Sequence, residues 1–153
     1  EGCIYVCGGA DAGRFTPLNS AERFDIEQGT WTPMEPMRHK RFYSATAVLA
    51  GSIYVCGGCN LMGALTSTER YTPSVGTWEE LEPLNQGRFL ASSAVIGDRW
   101  YICGGCDFPD VRQCMECFNP ATGHWTLPAP MREARSLAAS ATMGSHLYVC
   151  GGF

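Results

Sequence analysis

Cys103, Cys106, Cys114 and Cys117 stand in a Cys-x2-Cys-x7-Cys-x2-Cys spacing. Such a spacing can hold zinc as a tetrathiolate, with four soft sulfurs in a tetrahedron at about 2.3 Å. Cys56 and Cys59 make half of a second such group. The imidazoles available for metal or acid–base work are His39, His124 and His146. Glu79 and Glu80 are adjacent carboxylates, but neighbours on a strand point to opposite faces and make poor acid–base partners. The chain has no Gly-x-Ser-x-Gly, no His-Glu-x-x-His and no phosphate-binding loop.

The elements that must carry these residues are set by an internal repeat. Tyr5-Val6-Cys7-Gly8-Gly9 returns at Tyr54–Gly58, Tyr101–Gly105 and Tyr148–Gly152, in steps of 49, 47 and 47 residues. Glu22, Glu69 and Glu116 keep the same 47-residue step, as do Trp31, Trp78 and Trp125, and Arg41, Arg88 and Arg135. A period this long with so many registers held means one supersecondary unit, copied and stacked.

Between Arg41 and Glu82 the unit reads as four strands. Ser44–Leu49 is a first strand, and the Ala50-Gly51 turn leads to a second over Ser52–Cys56. Gly57-Gly58 interrupts the pairing and opens a loop from Cys59 to about Thr66. Thr68–Tyr71 is a third strand, Pro73–Gly76 a tight turn with a left-handed glycine, and Trp78–Leu81 the fourth strand. Small residues recur on the first strand of each copy, at Ala45 and Ala47, Ser92 and Ala94, and Ala139 and Ala141. That pattern suits the strand nearest the axis of a propeller, where blades converge. The recurring Trp residues are expected to be buried in equivalent places. Nothing in the sequence asks for a helix.

This register reinterprets the reactive residues. Cys103 belongs to a column with Cys7, Cys56 and Cys150, whereas Cys114 takes the place of Ser20 and Ser67. Strand alternation makes convergence of all four sulfurs awkward, so reduced thiols are favoured over zinc. Redox-sensing thiols at Cys59 or Cys106 stay open as a second reading. The three histidines fall in an inter-repeat loop, a turn and a strand start, which face different sides. No residue is assigned a catalytic or metal-binding role, and no cofactor is expected. Arg41 is expected to pair with Glu69, and Arg88 with Glu116, as bidentate staples beneath the loops.

Bulk properties narrow the partners. The 153 residues are 45% hydrophobic and 17% charged, a globular composition. A net charge of −4 and scattered basic residues argue against nucleic acid. No apolar run of about 18 residues is present to span a bilayer as a helix, and no secretory signal is read. Nine cysteines, an odd number, suit reduced thiols and a cytoplasmic location.

The Gly-Gly doublets, the aromatics at Phe24, Tyr71 and Phe118, and the following Trp residues resemble the Kelch repeat over the whole chain. Ser67-Thr68-Glu69-Arg70-Tyr71, with Gly76-Thr77-Trp78 and Glu82-Pro83-Leu84, looks most similar to Kelch domains of the BTB–Kelch class. The expectation is therefore an all-β Kelch-type β-propeller of about three four-stranded antiparallel blades. Repeats run at approximately 1–40, 41–87 and 88–134, with 135–153 opening a further one. The resemblance implies part of a six-bladed ring, or a ring completed by a second copy. It also implies a protein–protein interaction module, the substrate-recognition part of a cullin-type ubiquitin ligase adaptor, with an actin-binding or structural propeller as alternative.

By the same resemblance, loops 10–19, 59–66 and 106–113, with 36–44, 83–91 and 130–138, form the face that binds a protein or peptide ligand. The carried-over contact positions are Phe42, Tyr43, Phe89, Leu90, Ser136 and Leu137 after the recurring Arg, and Asp11, Asn60 and Asp107 after the doublet. Where the family often has Tyr after the doublet, this chain has Ala10, Cys59 and Cys106.

Overall fold

The computed structural model describes residues 2–153. The chain forms only β-strands and loops; among the described residues there is no helix. In chain order the strands are β1 (Cys3–Cys7), β2 (Ala21–Asp25), β3 (Thr30–Met34), β4 (Ala45–Leu49) and β5 (Ser52–Cys56). There follow β6 (Cys59–Asn60), β7 (Gly63–Ala64), β8 (Thr68–Thr72), β9 (Thr77–Leu81), β10 (Ser92–Ile96) and β11 (Arg99–Cys103). The last are β12 (Cys106–Asp107), β13 (Asp110–Val111), β14 (Met115–Asn119), β15 (His124–Thr126), β16 (Ala139–Met143) and β17 (His146–Cys150).

Two complete blades stand at the centre, β4-β5-β8-β9 and β10-β11-β14-β15, each a four-stranded antiparallel sheet. A three-stranded sheet, β1-β2-β3, precedes them, and the two-stranded β16-β17 follows. The expected strands fall within one or two residues of those observed. The loop after each Gly doublet is more ordered than the sequence suggests. In the two complete blades it carries a miniature hairpin, β6-β7 or β12-β13.

Turn chemistry explains the local folding. Ala50 and Gly51 both take positive φ (50° and 73°), the two-residue geometry that matches strand twist in a hairpin. Gly76, at φ 78°, donates its N–H to the Thr72 carbonyl at 2.8 Å and closes the β8–β9 turn.

The core lies between blades. Ala45, Leu49, Tyr54, Leu84, Trp100, Ile102, Phe118 and Trp125 pack as one buried cluster between the two complete blades. Phe118 and Trp125 are tilted neighbours at 5.0 Å, and Trp100 stands 5.8 Å from Trp125. A second cluster, Ala21, Met37, Ile53, Val55 and Trp78, joins the first sheet to the second. The inner strands are also tied sideways. Ser93 Oγ donates to the Thr46 carbonyl at 3.1 Å, and Ser140 Oγ to the Ser93 carbonyl at 2.9 Å.

The tryptophans only partly follow expectation. Trp78 and Trp125 are buried, and each donates its indole N–H to a backbone carbonyl of the preceding repeat, Glu35 at 2.7 Å and Glu82 at 2.8 Å. Trp31 is instead 51% exposed. Its burial would need the outer end of a preceding blade, and no described residue occupies that position.

Candidate functional site

The loops between second and third strands and the inter-blade loops emerge at one end of the sheets. Beneath them Arg41 pairs with Glu69 and Arg88 with Glu116, each through a single Nη2–Oε1 contact and not bidentately as expected, because Nη1 is taken by backbone carbonyls and the second carboxylate oxygen by backbone N–H groups. Arg41 Nη2 lies 2.7 Å from Glu69 Oε1, with both side chains fully buried. The same guanidinium donates to the Gly57 carbonyl at 2.6 Å and to the Ser67 carbonyl and hydroxyl at 3.1 and 2.9 Å. Glu69 in turn accepts the backbone N–H groups of Arg38 and His39 at 2.7 and 3.1 Å. The next blade repeats this with Arg88 and Glu116 at 2.8 Å, Gly104, Cys114, and the N–H groups of Asn85 and Gln86. Each staple therefore fixes an inter-blade loop against the doublet and third strand of the following sheet.

The doublet is glycine for a steric reason. Gly57 has φ 60°, and a Cβ there would sit 2.5 Å from the Arg88 carbonyl oxygen. Gly58 donates its N–H to that same carbonyl at 2.9 Å. Gly9 and Gly105 bond the Arg41 and Arg135 carbonyls in the same way, at 2.9 and 2.8 Å. Backbone thus meets backbone from blade to blade directly under the loop-bearing end.

The residues above the staples divide sharply. Tyr43, Leu90 and Leu137 all adopt left-handed backbone, at φ 56°, 55° and 54°. A side chain in that region costs energy, and its recurrence at three equivalent positions marks an over-determined loop. Leu90 donates its N–H to the Tyr43 carbonyl at 3.1 Å, and Leu137 to that of Leu90 at 2.9 Å, so these residues link successive blades. Tyr43 and Leu137 are more than half exposed, and Leu90 is half-buried.

The preceding column behaves differently. Phe89 is buried, and Phe42 is half-buried; they bridge Cys106 and Cys59 through paired backbone hydrogen bonds. Phe89, Cys59 and Cys106 form a small apolar cluster under the loops, with Phe42, Ala64, Leu90 and Val111 packed on it. Ser136 is fully buried, its hydroxyl donated to the Phe153 carbonyl at 3.2 Å. Ser136 and Phe89 therefore support the face by packing and do not present their side chains to a ligand.

The positions after the doublet are largely occupied by their own loops. The Asp11 carboxylate accepts the N–H groups of Arg14 at 2.6 Å and Gly13 at 2.9 Å, and the Thr16 hydroxyl at 2.9 Å. The Arg14 N–H, then the Thr16 hydroxyl, hold its pKa below the usual carboxylate value. Asn60 Oδ1 accepts the Met62 N–H at 2.8 Å. Asp107 lies 3.7 Å from Arg112. Each shapes the turn that displays the next residues.

Those next residues are the ones sequence columns miss. Phe15, Leu61, Met62 and Phe108 are 74%, 77%, 94% and 65% exposed at the tips of successive loops. Phe15 and Met62 lie one 47-residue step apart, and so do Leu61 and Phe108, but the residue type changes within each pair, so no identical column marks them. A further cue is the turn-forming Asn60 or Asp107 directly before Leu61 or Phe108. Phe108 stands edge-on to Phe89 at 5.3 Å, which ties this tip to the supporting cluster.

The cysteines fall in separate surroundings. Cys103 faces Met115 across β11–β14, Cys117 faces Tyr101, Cys106 lies in the loop cluster, and Cys114 meets Arg88. Burial, then the neighbouring Cys106, pushes the Cys59 thiol up to about 11. Burial likewise raises the Cys106 thiol. The two loop thiols raised as possible redox sensors are thus protonated at neutral pH and covered by apolar neighbours, which disfavours that reading.

Comparison with known proteins places this geometry. A family model described as the KLHDC2/KLHL20/DRC7 Kelch-repeats domain matches residues 1–152. A curated relative, "F-box/kelch-repeat protein At1g30090" of Arabidopsis thaliana, is 34% identical over 58 residues, covering 38% of this chain and 15% of that protein. The solved "Structure of YjhT" superposes with a TM-score of 0.83 at 16% identity, over 97% of this chain and 54% of that one. The likeness to YjhT is a likeness of fold.

Proposed function

The chain belongs to the Kelch-repeat family of KLHDC2/KLHL20/DRC7 type, and from that premise we propose that its loop-bearing end recognises a segment of another protein. Kelch repeats generally serve as protein–protein interaction modules. The observation that carries the reading is the apolar set at the loop tips, Phe15, Leu61, Met62 and Phe108, with Tyr43 and Leu137 nearer the axis. Exposed apolar residues gathered on one end of a fold are unusual in the absence of a partner. The rigid staples below pre-organise them, which lowers the ordering cost of binding.

In the finer reading this domain is the substrate-recognition part of a cullin-type ubiquitin ligase adaptor, acting in the cytoplasm by binding alone, without catalysis. Its ring would be completed by further blades of a longer chain or by a second copy. The F-box term in the Arabidopsis relative's name fits a connection of such domains with other modules.

The test is a binding comparison. Immobilised chain is exposed to a peptide library and, separately, to filamentous actin. Capture of a defined peptide that is lost on Met62→Asp or Phe108→Asp, with unchanged melting temperature, supports the proposal. Capture of filamentous actin alone, or binding indifferent to both substitutions, overturns it.

A further inference from the structure

The two end sheets are complementary to one another. β1 holds the place that β5 and β11 hold in the complete blades, but it pairs only with β2, so its edge toward the axis carries no strand. Between that edge and Thr46, Ala47 and Val48 of β4 runs a slot of about 340 Å³, in the position of a first strand. At the other end β16 is a first strand whose sheet holds only β17 beside it. Tyr148-Val149-Cys150-Gly151-Gly152 repeats Tyr5-Val6-Cys7-Gly8-Gly9 residue for residue, so β1 can meet β16 on the terms that β17 does.

The side chains at the two ends match as well. Glu22 shares a column with Glu69 and Glu116, yet it is exposed and has no cationic partner among the described residues. Arg135 shares a column with Arg41 and Arg88, yet it is part-exposed and turns to Glu133, two residues away, at 2.7 Å. Trp31 lacks the backbone carbonyl that Trp78 finds at Glu35 and Trp125 at Glu82; the next residue of that column is Ala129. The Ser93 and Ser140 hydroxyls each reach the first strand of the preceding blade, but Thr46, in their column, has none beside it. Ile4 and Val6 are half-exposed, whereas Ile53, Val55, Trp100 and Ile102 at the same places are buried.

We propose that the slot takes β16 of a second copy of this chain, giving a composite blade β16-β1-β2-β3. Arg135 of one copy then meets Glu22 of the other, and both find the counter-charge they lack singly. Trp31 donates to the Ala129 carbonyl across the junction, and the Thr46 hydroxyl to the Ser140 carbonyl. Ile4 and Val6 are covered by the β10-β11-β14-β15 sheet. β17 gives way to β1 in the same register, with Cys7 and Tyr5 opposite Ala139 and Ala141 where Cys150 and Tyr148 now stand. The two ends differ, so the contact is head-to-tail, and a closed pair makes it twice. One copy aligns with 54% of the YjhT chain, and two span about its whole length. The proposal rests on the second-copy form of ring completion given above. Peptide capture through Met62 and Phe108 belongs to the complete blades and is decided separately.

Sedimentation of the chain at rising micromolar concentration should show one associated species of twice 16.6 kDa. Trp31 is the exposed tryptophan of the single copy, so acrylamide quenching should fall as the pair forms, and below that concentration Trp31 stays exposed. Glu22→Arg or Arg135→Glu alone should weaken association about a hundredfold or more, because each sets like charges together in a closing junction. An equimolar mixture of the two variants should pair again, since both junctions of the mixed pair then hold opposite charges. Neither residue is buried in the single copy, so unchanged melting temperatures of the dilute variants show that folding is intact. The proposal is overturned if the chain stays monomeric, if it forms an open series of larger species, if either variant pairs as the parent does, or if mixing restores nothing.

Discussion

Arg88 Nη2 sits 2.8 Å from Glu116 Oε1, with the two side chains 1% and 0% exposed. A charge pair so deeply buried contributes little by its mere presence, because desolvation offsets attraction. What it does is satisfy the backbone around it. Glu116 takes up the N–H groups of Asn85 and Gln86, and Arg88 the carbonyls of Gly104 and Cys114.

Breaking the pair from one side should therefore be severe. Glu116→Gln leaves the guanidinium buried without its counter-charge, and urea unfolding should show a loss of about 3–5 kcal/mol. The exposed pair Arg70–Glu79 gives the contrast: Glu79→Gln should cost less than about 1 kcal/mol. Equal losses at the two sites would contradict the staple.

Trp78 and Trp31 hold the same register in very different surroundings, 5% and 51% exposed. Trp78→Ala should cost about 3–5 kcal/mol, as large core aromatics do. Trp31→Ala should stay within roughly 1 kcal/mol in this chain, as exposed substitutions usually do. Thermal or urea denaturation of both variants checks the difference.

The strands, the turns and the Arg41–Glu69 and Arg88–Glu116 pairs were legible because a repeat reports the same physical demand several times. Gly57 and Gly104 recur since each meets the backbone of the next blade. The same logic failed where surroundings differ between copies, as at Trp31. It also misjudged Ser136, which shares a column with Phe42 yet spends its hydroxyl on a backbone carbonyl. At the loop-bearing end, a column shows where a side chain leaves the backbone and not what covers it. Phe108 and Met62 each stand one 47-residue step after another apolar residue, Leu61 and Phe15, but of a different type, since loop tips escape the packing constraint that keeps a column alike.

Alkaline pH should weaken the fold. Burial pushes the Cys103 thiol from 9.0 to about 11. Between those values the unfolded chain has lost the proton that the folded chain keeps, so the folded state binds more protons. Stability is then full below about pH 9 and falls as pH rises toward 11. Cys7, raised by burial and then by Glu69 to about 11, acts in the same direction. Urea midpoints measured from pH 8 to 11 should decline, and Cys103→Ala should flatten the decline relative to the parent chain.

Gly57 and Gly51 separate backbone strain from blade-to-blade contact. Both have positive φ, 60° and 73°, so Ala at either position incurs the left-handed cost of roughly 1–2 kcal/mol. At Gly51 nothing lies within 4 Å of the added Cβ. At Gly57 the Cβ would meet the Arg88 carbonyl oxygen at 2.5 Å, against backbone that the Glu116 staple and the Gly58 N–H hold in place. The inter-blade loop must move away, which lengthens the Gly58-to-Arg88 hydrogen bond and tilts the segment carrying Phe89 and Leu90. Gly57→Ala should therefore destabilise the chain well beyond Gly51→Ala. It should also speed amide exchange at Gly58 and Leu90, a change that Gly51→Ala leaves untouched. Similar losses for the two variants, with exchange at Gly58 unaltered, would mean that the doublet serves only its own turn and does not join the blades.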